Sequence, residues 1–68
     1  MTISQIADRV YVKALKKKAL TAGELAARAG FNSGRAISGA LGLLVEEGNL
    51  QQIGIHSGST RPRYVKVA

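Results

Sequence analysis

The sequence predicts a small α+β domain in which three helices precede a two-stranded β-hairpin. Three observations lead to this prediction. Two threonines each stand three residues before a Gln or Glu, apolar residues recur at helical spacing up to Gly48, and apolar residues alternate with others beyond it. Spacings of three and four residues are typical of helices, and alternation is typical of strands. With 68 residues, the chain has room for one domain, 1–68, with a small core.

The first predicted helix runs from Thr2 to about Lys18. Thr2 and Gln5 form a capping box, in which both side chains satisfy free backbone N–H groups at a helix start. The apolar residues that follow at helical spacing are Ile3, Ile6, Val10, Ala14 and Leu15. Lysines 16–18 then end the helix, either as solvated residues that favour its dipole or as phosphate contacts. The sequence leaves these two alternatives open.

The second predicted helix is short. Thr21 and Glu24 form another capping box, so the helix begins just after Thr21. Gly30 then stands where a chain leaving a helix often adopts a left-handed conformation. Before this helix, Ala19 and Leu20 form a short extended segment that can add a minor strand to the sheet.

The third predicted helix spans residues 33–47. Asn32 and Ser33 offer an N-cap, and Gly48 ends the helix. One apolar stripe runs along it: Ile37, Leu41, Leu44 and Val45. A short helix, a turn that contains glycine and a longer helix together indicate a helix-turn-helix, whose second helix enters the DNA major groove.

Two strands are predicted after the third helix. Their apolar residues are Leu50, Ile53 and Ile55 in one strand and Val65 and Val67 in the other. The intervening segment is rich in glycine and small hydroxyl residues, and its Pro62 cannot donate to a sheet. It is therefore predicted to be a loop that projects from a two-stranded hairpin.

The charge balance indicates a polyanionic partner. Ten Lys and Arg against four Asp and Glu give a net charge of +6. Such a small basic domain is expected to attract nucleic acid, because neutralised phosphates release counterions. The simpler alternative, that basic residues only maintain solubility, is less favoured because the bases cluster while the acids are scattered.

The run ELAARAG followed by AISGALGLLVEEGNL resembles the winged helix-turn-helix family of DNA-binding domains, over nearly the whole chain. Between Gly30 and Ile37 the chain has one residue more than the commonest form of that family. The resemblance implies that helix 33–47 lies in the major groove and that wing 56–63 contacts the minor groove or the backbone. The DNA-binding residues expected on this basis are Asn32, Ser33, Gly34, Arg35, Ser38, Gly39 and Gly42 in the helix, and Ser59, Thr60, Arg61 and Arg63 in the wing.

Several of these residues have more than one interpretation. Arg35 can bond guanine bidentately, or it can pair with a nearby carboxylate. Gly39 and Gly42 each cost about 1 kcal/mol in a helix, which either close approach to DNA or packing against another helix would offset. Arg61 and Arg63 suit a narrow minor groove, but the same loop could be an ordinary polar hairpin tip.

Other classes of protein are not favoured. The chain has no cysteine, its single histidine, His56, has no carboxylate cluster nearby in sequence, and its four acids form no evident acid–base pair. Neither an enzyme nor a cofactor is therefore expected. No apolar run reaches the ~20 residues of a membrane span, and the N-terminus lacks signal-peptide character. The expected location is the cytoplasm, with the chromosome or nucleoid.

Two functions are consistent with the sequence. The first is a double-stranded DNA-binding protein, either a small transcription regulator or a chromosome-associated protein. The second is a winged-helix module that binds structured RNA or a protein partner, since fold alone does not determine function. In either case we expect a monomer in solution, with assembly on DNA or through a partner as a further possibility.

Overall fold

Three α-helices, a short 3₁₀ helix and a three-stranded antiparallel sheet make up the described part of the protein. The computed structural model describes residues 1–54 and 61–67. In chain order the elements are α1 (Ile3–Lys13), β1 (Leu20–Thr21), α2 (Ala22–Ala29), the 3₁₀ helix (Gly34–Ile37), α3 (Ser38–Glu46), β2 (Leu50–Ile53) and β3 (Arg63–Lys66). The predicted α+β class is confirmed.

Both predicted capping boxes are present. At the start of α1, the Thr2 N–H donates to Gln5 Oε1 at 2.8 Å and the Gln5 N–H donates to Thr2 Oγ1 at 3.2 Å. At the start of α2, the Thr21 N–H donates to Glu24 Oε1 at 2.9 Å and the Glu24 N–H donates to Thr21 Oγ1 at 3.2 Å. Each box satisfies two backbone groups that would otherwise lack a partner within the helix.

The prediction that the first helix extends to Lys18 is wrong, because α1 ends at Lys13. Ala14 is extended, with φ −70° and ψ 156°, and yet it is buried. The carbonyl of Leu15 accepts a hydrogen bond from the N–H of Lys66 at 2.9 Å. The chain therefore leaves the helix to lie along β3, and lysines 16–18 are not a helix end.

Glycines end α2 and α3 as predicted. Gly30 has φ 86° and Gly48 has φ 80°, both in the left-handed region. The N–H of Phe31 donates to the carbonyl of Ala26 at 2.8 Å, and the N–H of Asn49 donates to the carbonyl of Leu44 at 2.8 Å. These bonds span five residues, as in the Schellman motif that follows a left-handed glycine.

The predicted single helix over 33–47 is wrong. Residues Gly34–Ile37 form the 3₁₀ helix, and α3 starts only at Ser38. Ile37 has φ −114° and ψ 7°, outside helical geometry, and Ser33 makes no side-chain cap bond. The apolar stripe nevertheless continues through the bend, since Ile37, Leu41 and Leu44 are all buried.

The strand count also differs from the prediction of a two-stranded hairpin. The sheet has three strands in the order β1-β3-β2, all antiparallel to their neighbours. Leu20 pairs with Tyr64 and Thr21 pairs with Arg63, so the short segment before α2 closes one side of β3. Predicted strand residue Ile55 and loop residues 56–60 lie outside the described part of the chain.

The core is assembled from every helix and from the sheet. Its fully buried larger side chains are Val10, Leu25, Ile37, Leu41 and Leu50. Partly buried side chains pack around them, including Phe31 at the turn after α2. This core fixes the start of α2, the 3₁₀ helix and β3 relative to one another.

Candidate functional site

A groove of about 620 Å³ opens where the start of α2, the 3₁₀ helix, the start of α3 and the residues before β3 meet. The described residues that line it are Thr21, Ala22, Gly23, Gly34, Arg35, Ser38, Arg61 and Pro62. Most of these side chains are small or absent. The backbone of the groove is therefore accessible to a ligand, while two arginines supply the charge.

The floor of the groove depends on a close approach between Gly34 and the start of α2. A Cβ atom on Gly34 would lie 2.9 Å from Ala22 Cβ, 3.0 Å from the Ala22 carbonyl carbon and 3.0 Å from the Gly23 nitrogen. Real Cβ atoms essentially never come within 3.0 Å of other heavy atoms. Only glycine therefore allows the 3₁₀ helix to lie this close to α2.

Arg35 and Arg61 both line the groove, although they are 26 positions apart in the chain (61 minus 35). Arg35 lies in the 3₁₀ helix and Arg61 lies two residues before β3, and both are exposed. The hydroxyl of Ser38 donates to the carbonyl of Arg35 at 3.2 Å, which links the 3₁₀ helix to α3. The fold thus brings one predicted helix arginine and one predicted wing arginine to the same opening.

Arg63 has a different environment. Its Nη1 atom lies 3.6 Å from Oε1 of Glu24, and both side chains are about half exposed. Hydrogen bonds from the Thr21 N–H and hydroxyl hold the pKa of Glu24 below its ordinary value, and the nearby positive charge of Arg63 acts in the same direction. Arg63 is therefore tied to the start of α2 and does not line the groove.

The two helix glycines, Gly39 and Gly42, have different surroundings. A Cβ on Gly39 would lie 2.9 Å from Ile3 Cδ1, so Gly39 packs against the start of α1. A Cβ on Gly42 would have no described neighbour within 4 Å. Neither glycine is among the described residues that line the groove.

The remaining predicted site residues lie outside the groove or outside the described residues. Asn32 and Ser33 are exposed in the connection between α2 and the 3₁₀ helix. Ser59 and Thr60 lie outside the described part of the chain. Of the predicted set, the groove therefore brings together Gly34, Arg35, Ser38 and Arg61.

Sequence reasoning missed the contribution of α2 to this groove. Thr21, Ala22 and Gly23 line it because Thr21 pairs with Arg63 in the sheet, which places the start of α2 beside the segment that enters β3. The capping box located the start of α2 in the sequence. The sequence also indicated a minor strand at Ala19 and Leu20, and β1 includes Leu20, but it did not predict that this strand pairs with β3.

No helix in residues 1–54 and 61–67 combines the length and the hydropathy needed to cross a membrane. Within the same ranges, no three His, Cys, Asp or Glu side chains gather in a way that could hold a metal ion.

Comparisons with known proteins identify no relative. No family model matches the chain, and neither the curated proteins nor the solved structures contain a significant match. The function of the groove must therefore be inferred from its geometry and charge.

Proposed function

We propose that the chain is a winged-helix domain that binds double-stranded DNA, as a small transcription regulator or a chromosome-associated protein. The 3₁₀ helix and the start of α3 enter the major groove, and the connection between β2 and β3 contacts the minor groove or the backbone. No catalytic step and no cofactor form part of this proposal.

The observation that carries the proposal is the joint placement of Arg35 and Arg61 on one groove with a small-residue floor. Guanidinium groups form paired hydrogen bonds with phosphate oxygens and with the guanine edge. The floor of Ala22, Gly23 and Gly34 leaves room for a sugar–phosphate strand to approach the protein backbone. A polyanion is the ligand that best matches two arginines and a net charge of +6.

The order of the elements also supports the proposal. In helix-turn-helix proteins the second helix presents residues near its N-terminus to base edges. Arg35 and Ser38 are near that position, since Arg35 lies in the 3₁₀ helix that precedes α3 and Ser38 is the first residue of α3. Among the described residues that line the groove with them, Pro62 has the largest apolar side chain.

An amide NMR titration tests the proposal directly. Labelled protein is titrated with a mixed-sequence duplex of about 16 base pairs, which is long enough for one helix and one wing. We expect shifts at residues 21–23 and 34–38 and at Arg61 and Arg63, and these shifts should weaken steeply when salt is raised from about 50 to 200 mM. An absence of shifts at low salt, in a protein that is folded by its amide spectrum, would reject the proposal.

Substitution of Arg35 tests the same site by affinity. Arg35→Gln should weaken binding about tenfold, because a bidentate arginine contact with guanine contributes roughly 1–3 kcal/mol of discrimination. Lys66→Gln serves as the charge-matched control, since Lys66 lies over the Tyr11 ring at 4.5 Å and does not line the groove. Tighter binding to an RNA duplex of the same length than to DNA would favour the RNA alternative instead.

A further inference from the structure

Most of the positive charge lies away from the groove. Of the ten Lys and Arg residues, Arg35 and Arg61 line it. Six others are exposed on α1, on the segment that follows α1, or near the end of α2. We call these six the α1–α2 cationic surface: Arg9, Lys13, Lys16, Lys17, Lys18 and Arg28.

Specific contacts hold part of this surface together. Arg28 Nε donates to the carbonyl of Lys13 at 3.1 Å, which joins the end of α2 to the end of α1. Arg9 and Lys13 are four residues apart in α1 and therefore lie on one helix face. The guanidinium carbon of Arg9 lies 5.4 Å from the centroid of the Phe31 ring, just beyond α2. Two helices thus contribute cations to one region.

One of these six cations lies near a described carboxylate: after the Thr21 hydrogen bonds and Arg63, the charge of Lys18 also lowers the pKa of Glu24. The single ion pair among residues 1–54 and 61–67 joins Arg63 to Glu24. Asp8 and Glu47 lie elsewhere, along a smaller groove of about 300 Å³ between α1 and the end of α3. None of the six cations therefore forms an ion pair in the described part of the chain, although like charges that gather without counter-charges disfavour the compact state.

Helix dipoles do not account for the whole surface. Basic residues in the last turn of a helix are favoured by its dipole, and Lys13 and Arg28 occupy such positions. Lysines 16–18 lie beyond the end of α1, because the chain is already extended at Ala14. The dipole of α1 therefore does not explain the positions of these lysines.

We infer that the α1–α2 cationic surface binds phosphates of the same DNA duplex that occupies the protein groove. These phosphates belong to the strand on the opposite side of the DNA major groove. This inference rests on the proposed function. Helix α2 connects the two sites, since Ala22 lines the groove at one end and Arg28 belongs to the surface near the other. Six residues of helix span roughly 9 Å, and arginine and lysine side chains extend that reach. The major groove is about 12 Å wide, so the two sites match its two phosphate strands.

Measurement of affinity against salt concentration tests the inference. The probe is a fluorescent duplex of about 16 base pairs, and the variant is the triple change Lys13→Gln, Lys16→Gln, Lys17→Gln. These three side chains make no hydrogen bond or ion pair in the described part of the chain. Each phosphate contact contributes about 0.9 to the slope of log affinity against log salt. The triple variant should therefore lower that slope by about 2 to 3.

A matched control separates local contacts from net charge. Ser4→Glu lowers the net charge by one unit on the side of Asp8 and Glu47, because Ser4 lines the same smaller groove. Its slope should equal that of the wild type, whereas Lys16→Gln, with the same change in net charge, should lower the slope by about 0.9. Equal slopes for these two variants would overturn the inference.

The outcomes distinguish this inference from the proposed function. If Arg35→Gln weakens binding while the triple variant keeps the wild-type slope, the groove binds DNA and the inference is wrong. If neither the wild type nor any variant binds the duplex, the proposed function itself fails. A donor-labelled and an acceptor-labelled duplex are also mixed with the protein. If the wild type gives energy transfer between them and the triple variant does not, the surface binds a second duplex. That result would reject the one-duplex arrangement. Unchanged thermal unfolding of the triple variant is the check that it remains folded.

Discussion

The carboxylate of Glu24 lies 3.6 Å from the guanidinium of Arg63 and also accepts a hydrogen bond from the N–H of Thr21 at 2.9 Å. One side chain thus completes the cap of α2 and ties that helix to the first residue of β3. The pair is about half exposed, so its direct contribution to stability is small and is screened by salt. We expect the effects of this pair in how folding stability depends on pH and in the affinity for DNA.

Glu24→Gln should change how stability depends on pH. The pKa of Glu24 is held below its ordinary value, first by the backbone and hydroxyl hydrogen bonds of Thr21 and then by the charges of Arg63 and Lys18. A lowered pKa in the folded state stabilises the protein above the unfolded-state value, and this stabilisation is lost as the pH falls through the folded-state value. Glutamine keeps the capping bond but does not titrate.

Thermal unfolding followed by circular dichroism between pH 7 and pH 2.5 checks this prediction. The melting temperature of the wild type should exceed that of Glu24→Gln at neutral pH. The difference should shrink as the pH falls below about 4.5. A difference that stays constant over the whole range would show that the carboxylate charge of Glu24 does not stabilise the fold.

The same substitution should tighten DNA binding at low salt. Glu24→Gln removes a negative charge next to Thr21, which lines the groove, and frees Arg63 to contact phosphate. We expect a gain of less than about tenfold that disappears at high salt, because exposed charges interact weakly in water. Glu46→Gln is the matched control, since it removes one carboxylate at the far end of α3. Equal gains in the two variants would assign the effect to net charge alone.

Local chemistry in the sequence located the element boundaries that depend on neighbouring residues. The threonine capping boxes fixed the starts of α1 and α2, and the left-handed glycines fixed the ends of α2 and α3. These signals operate within one turn of helix, so the residues themselves suffice. The buried stripe from Ile37 to Leu44 was predictable for the same reason.

Boundaries that depend on distant residues were not predictable. The end of α1 at Lys13 follows from the hydrogen bond between Leu15 and Lys66, which are 51 positions apart (66 minus 15). The break at Ile37 accompanies the packing of Gly34 against Ala22. At the site, the sequence identified both groove arginines but not the contribution of α2, because that depends on the pairing of β1 with β3.

Loss of the Thr21 hydroxyl should destabilise the domain. Thr21→Ala removes the acceptor for the Glu24 N–H, and loss of a threonine N-cap typically costs about 1 kcal/mol. Thr21→Ser keeps the hydroxyl and should unfold close to the wild type in urea. Thr2→Ala should cost less, because its cap lies at the exposed start of the chain, where helices fray. Equal losses for Thr2→Ala and Thr21→Ala would contradict a special role for the α2 cap.

Gly34→Ala should be the most informative single change in the groove. Its Cβ would meet backbone atoms of Ala22 and Gly23 at 3.0 Å, which cannot move aside as a flexible side chain can. Overpacking of this kind typically costs about 1–3 kcal/mol. Gly42→Ala is the matched control, since the same methyl group would have no described neighbour within 4 Å inside α3. There the change should stabilise the protein by roughly 0.5–1 kcal/mol. Urea unfolding of both variants compares the two sites, and stabilisation by Gly34→Ala would show that the 3₁₀ helix does not require this close approach to α2.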